Sequence, residues 1–147
     1  MYDVVCIGNF VADCISKTID KIPERGKLGL IDSLSLYTGG CAMNAGADMK
    51  KLGANVALMG MVGNDGFGSF MLGEIAKLGI PTDGIAIGDD CTTSASVVLV
   101  DSGSERTFLH CLGASAKFTE SDVNYDVIAD SLKSSCAAYH VTVFSFK

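Results

Sequence analysis

Long apolar runs, CxxC pairs, blocks of like charge and low-complexity segments are all missing from this 147-residue chain. Each absence closes off a class of protein. No apolar run approaches the eighteen or so residues needed to cross a bilayer. The N-terminus enters a strand pattern at once, without the charged and long apolar regions of a signal peptide. The net charge of −6 comes from scattered residues, and there is no basic stripe of the kind that binds nucleic acid. The expectation is a cytoplasmic protein with neither membrane nor nucleic-acid partners.

Cysteines are present but unpatterned. Cys6, Cys14, Cys41, Cys91, Cys111 and Cys136 form no CxxC pair, and His110 and His140 stand at no zinc-site spacing from them. Several lie in apolar runs, where cysteine behaves as a small hydrophobe. They read as reduced structural thiols, and no metal ligand is assigned. The first turn, Gly8-Asn9-Phe10-Val11-Ala12-Asp13, lacks the GxGxxG pattern of a dinucleotide site.

What is there is glycine and apolar residues, 17 glycines and 48% hydrophobic content in a chain of one-domain length. Strand and helix patterns alternate. Asp3–Gly8 is a short apolar run that suits a strand buried on both faces. Ala42–Leu52 and Phe67–Leu78 repeat apolar residues at three- and four-residue spacing, and each is closed by a glycine. Asn55–Gly60 reads as another buried strand. Ala95–Asp101 and Glu105–His110, joined by Ser102-Gly103-Ser104, read as a hairpin. Thr119-Glu120-Ser121-Asp122 resembles a capping box opening a third helix, and Ala137–Phe144 is a last buried strand.

Residues 15–37 interrupt the alternation. Leu28, Leu30, Leu34 and Leu36 keep even spacing, which places them on one face of extended chain. The segment is predicted to be a two-stranded flap covered on one side only. The chain also stops three residues after an apolar strand, with no closing helix. Two readings follow: the front part of a larger domain, or a complete five-stranded sheet with its last strand at an edge.

The densest signal is Thr38-Gly39-Gly40-Cys41-Ala42-Met43-Asn44-Ala45-Gly46-Ala47, followed by Gly53 and by Gly63-Asn64-Asp65-Gly66-Phe67-Gly68. A glycine pair opening a helix lets backbone amides approach a small molecule closely. This combination resembles the first signature of the ribokinase-like (PfkB) carbohydrate kinases. The likeness takes in Cys6 to Asp13, the Asp101–Arg106 hairpin and the closing strand, so it covers essentially the whole of residues 1–147.

The resemblance implies a three-layer α/β/α fold with a mostly parallel central sheet and a small β lid, here incomplete. The lid strands would lie roughly at 15–37 and 95–110. It also implies ATP-dependent phosphorylation of a sugar hydroxyl, with magnesium, and a homodimer formed through the lid. By position it makes Asp13, Gly39, Gly40 and Asn44 the sugar contacts. Chemistry agrees, because a carboxylate accepts from hydroxyls while an amide both donates and accepts. Bland readings stand beside these: Asp13 as a turn or cap residue, Asn44 as an ordinary first-turn residue. Gly63, Asp65 and Gly68 read as shaping a turn, and Arg106 as an accessory contact or a solvated charge.

Departures bear on substrate and activity. Cys41 stands where many such signatures carry lysine, which disfavours a phosphorylated sugar. Val11 replaces an asparagine found in some ribokinases. Phe10, Tyr37 and Phe108 keep a nucleoside open, with a neutral, fructose-like sugar favoured. The family's second signature, which resembles Asp-Thr-x-Gly-Ala-Gly-Asp and supplies the anion hole and catalytic aspartate, has no counterpart here. No catalytic residue is therefore assigned, and these residues alone are expected to be inactive. The alternative is a non-catalytic sugar- or nucleoside-binding remnant.

Overall fold

The computed structural model describes residues 2–132 and 138–142. In chain order the elements are β1 (Val4–Gly8), β2 (Val11–Lys17), β3 (Ser33–Gly39), α1 (Cys41–Lys51), β4 (Val56–Gly63) and α2 (Gly66–Lys77). They continue with β5 (Ile85–Gly88), β6 (Ala95–Val100), β7 (Arg106–Cys111), α3 (Tyr125–Leu132) and β8 (Ala138–Thr142).

Two four-stranded sheets result, β5-β4-β1-β8 and β3-β2-β6-β7. The first is parallel throughout, with Cys6 opposite Leu58 and Val4 opposite both Val56 and Ala138. Every residue of β4 is buried, as a parallel strand covered on both faces requires. One face packs on α1 and α2, where Leu58, Met43, Met71 and Ile75 interlock. The other meets α3 through Val5, Ala57 and Met59 against Val127 and Ile128. That is a three-layer α/β/α arrangement. Side chains such as Leu58, Met71 and Ile75, buried almost completely, each contribute about 1.5–3 kcal/mol.

Gly46 brings α1 down onto this sheet, since a β-carbon there would collide with Leu58. Asp65 caps α2, its Oδ1 accepting from the Gly68 N–H at 2.8 Å. The same carboxylate accepts from the Thr93 N–H at 2.8 Å and the Thr93 hydroxyl at 2.7 Å. The Asn64-Asp65-Gly66 turn thus ties α2 to the start of β6, a structural task.

The flap predicted over 15–37 holds two antiparallel strands, β2 and β3, and joins the 95–110 hairpin in one sheet, β2 pairing parallel with β6 and β6 antiparallel with β7. Two details differ from expectation. The first lid strand begins at Val11, because the chain turns straight from β1 into the lid. Even spacing in the leucines showed only β3, and Leu28 and Leu30 lie outside any strand. The capping box also caps something smaller. Thr119 donates from its N–H and hydroxyl to Asp122, but the turn it closes is a 3-10 turn at Glu120–Asp122, and α3 starts only at Tyr125.

Candidate functional site

An open cavity of about 1020 Å³ lies where the lid sheet meets the first turn of α1. Asp13, Gly40 and Asn44 all line it, together with Asn9, Ser96 and His110. Three segments far apart in sequence supply them: the β1–β2 connection with the start of β2, the β3–α1 junction with the first turn of α1, and the β6–β7 hairpin.

Backbone geometry builds the junction. Gly40 has φ of +94°, and a β-carbon there would press on the Asn9 carbonyl. That conformation belongs to glycine. The first helical bond runs from the Asn44 N–H to the Gly40 carbonyl at 2.9 Å, and no side chain caps α1. The N–H groups of Cys41, Ala42 and Met43 therefore have no carbonyl partner within the helix and carry the positive end of its dipole.

Gly39 is buried and does not line the cavity. It lies beneath Asp13, whose Oδ2 occupies the space a β-carbon at 39 would need. Asp13 itself is a strand residue of β2, paired with Tyr37 on β3 and Ser96 on β6. The turn or cap reading of Asp13 is thereby replaced by a place in a sheet. Ser96 in turn faces His110 across the hairpin, so Tyr37, Asp13, Ser96 and His110 form one row across all four lid strands. Ser96 Oγ is 3.0 Å from His110 Nδ1.

These elements, a parallel sheet, a four-stranded lid and a cavity at a glycine-led helix start, coincide with a pattern of known proteins. The pfkB family carbohydrate kinase pattern matches residues 1–143. The chain belongs to that family. Among curated pfkB-type relatives, fructokinase-2 of Oryza sativa subsp. japonica is 28% identical over 124 residues, covering 82% of this chain and 37% of that protein. Ribokinase of Bacillus subtilis is 32% identical over 83 residues, covering 56% of this chain and 28% of that protein. The fructokinase of Xylella fastidiosa, solved with bound ATP, superposes with a TM-score of 0.76 at 23% identity, over 96% of this chain and 39% of that one. The chain thus spans well under half the length of the pfkB proteins it matches.

The donor set limits what can be held here. Among the described residues no group of three or more His, Cys, Asp or Glu is placed to bind a metal ion.

Of the aromatic residues named for stacking, Tyr37 and Phe108 are partly exposed, and Phe108 lines the cavity. Phe10 is 0% exposed and belongs to the core, so it offers no stacking surface. Arg106 places its guanidinium over the Phe108 ring at 5.9 Å rather than on the cavity wall. Sequence reasoning missed Asn9, Ser96 and His110. A signal for the last two existed: pairing outward from Gly103 at the hairpin tip puts Ser96 opposite His110.

Proposed function

We propose that the chain is the sugar-binding part of an ATP-dependent sugar kinase, transferring the γ-phosphoryl group to a hydroxyl of a neutral, fructose-like sugar. The observation that carries this is the convergence of Asp13, Gly40 and Asn44 on one cavity. Asp13 accepts hydrogen bonds from sugar hydroxyls, Asn44 donates and accepts, and the first amides of α1 donate. Gly39 takes part by leaving room for the Asp13 carboxylate. In the whole protein ATP supplies the phosphoryl group and magnesium offsets phosphate charge, a reading supported by the related fructokinase of Xylella fastidiosa solved with bound ATP and the ribokinase II from E. coli solved with ATP and magnesium.

Cys41 follows the glycine pair and brings no cation, which fits an unphosphorylated substrate. The lid's outer face carries Leu34, Leu36, Val97 and Leu109, all at least partly exposed, and two such faces pack together in a homodimer. A cytoplasmic location fits the five described cysteines, all free. No described helix is long and apolar enough to cross a membrane.

A thermal-shift screen of sugars and nucleosides tests the reading. D-fructose is expected to raise Tm, and Asp13→Ala and Asn44→Ala each remove that rise. A rise that survives Asp13→Ala would place the sugar elsewhere and overturn the assignment.

A further inference from the structure

We infer that His110, held in place by Ser96, is a direct contact for the substrate and fixes its far end opposite Asp13. The inference rests on the sugar-site reading above.

The argument begins with register. Asp13, Ser96 and His110 are successive cross-strand partners on β2, β6 and β7, so they share one face of the lid sheet. All three line the same cavity. With strands spaced about 4.8 Å apart, the Asp13 and His110 backbones stand about 10 Å from each other. A ring sugar with a hydrogen bond at each side spans that separation.

Ser96 has little exposed surface (6%), and its hydroxyl engages His110 Nδ1. A hydroxyl engaged in this way orients the imidazole. With Nδ1 occupied, Nε2 is the ring nitrogen left to meet a ligand oxygen. When the Ser96 hydroxyl donates to Nδ1, the ring hydrogen sits on Nε2 and donates outward. The two ends of the cavity are then complementary, Asp13 accepting and His110 donating. Ser96 is accordingly a positioning residue, and His110 the contact.

The chain has two histidines, so the His110 Cε1 proton is assigned in a proton NMR spectrum by comparison with His110→Ala. The probes are D-fructose, D-ribose and glycerol, added to the wild-type chain, with affinity measured by calorimetry. D-fructose or D-ribose is expected to move the His110 resonance, and glycerol, which has fewer hydroxyls to share between the two ends, to move it less at the same concentration. His110→Ala weakens binding about tenfold, as loss of one hydrogen bond of ordinary worth predicts. Ser96→Ala weakens it similarly, and Ser96→Thr, which keeps the hydroxyl, restores it. Circular dichroism checks each variant, and the exposed His110 position carries the test if Ser96→Ala does not fold.

If D-fructose or D-ribose binds, Asp13→Ala abolishes the binding, yet the His110 resonance stays still and His110→Ala binds as wild type, the inference is overturned while the sugar site stands. If neither sugar binds the wild-type chain saturably, both fall.

Discussion

The Asp13 carboxylate fills the space that a β-carbon on Gly39 would occupy. The two residues sit on neighbouring lid strands, β2 and β3, and one makes the other's position available. A glycine that lines no cavity therefore still shapes the site.

Gly39→Ala accordingly pushes the Asp13 side chain off its place without touching the core. Binding of D-fructose is expected to weaken tenfold or more, about 1.4 kcal/mol. The chain should keep its fold, because the atoms displaced are the free end of a side chain. Calorimetry beside circular dichroism reads both, and unchanged affinity would detach Gly39 from the site.

Asp65 governs stability rather than binding. Burial pushes its pKa up, but hydrogen bonds from the Gly68, Thr93 and Phe67 N–H groups and the Thr93 hydroxyl outweigh this and hold it below the usual carboxylate value. A lowered folded-state pKa stabilises the protein above the unfolded pKa of about 3.9, and that contribution fades as pH falls through the folded value. Asp65→Asn should lower stability by about 1–3 kcal/mol at neutral pH and flatten its decline below pH 4. Urea unfolding at several pH values measures both. An unchanged acid slope would mean the carboxylate's bonds matter less than their geometry suggests.

Phe10 separates a core role from a stacking role. Its ring packs where a β-carbon on Gly60 would stand, and none of its surface is exposed. Phe10→Ala is expected to cost about 3–5 kcal/mol in urea unfolding. A variant of near wild-type stability that had lost affinity for a nucleoside would return Phe10 to the ligand.

Leu34 and Leu36 lie on the lid face opposite Asp13, with 63% and 36% of their surface exposed. Neither is needed for the protomer's core. Leu34→Asp and Leu36→Asp should therefore lower the mass in sedimentation while leaving circular dichroism unchanged. Equal mass with intact folding would overturn the proposed packing of two lids.

The sequence announced its helices because glycines end both long ones and apolar residues recur on one stripe. It announced β1 and β4 because a parallel strand buried on both faces must be apolar throughout. It announced the family because glycines and an asparagine at fixed spacing are informative without coordinates. The lid was harder to read. β2 and β6 are parallel neighbours separated by most of the chain, and no local pattern encodes that pairing. The 3-10 turn after Thr119 was likewise invisible, since a capping box marks a start and not a length.

The signature in the sequence carried the family and singled out Asp13, Gly39, Gly40 and Asn44 as candidate sugar contacts. Tertiary structure decided how they divide the work. Gly40 sets the helix start, Gly39 makes room, and Asp13 faces the cavity from a strand. Only the sheet register brought Ser96 and His110 beside Asp13, because cross-strand neighbours are chosen by pairing between segments and not by spacing within one.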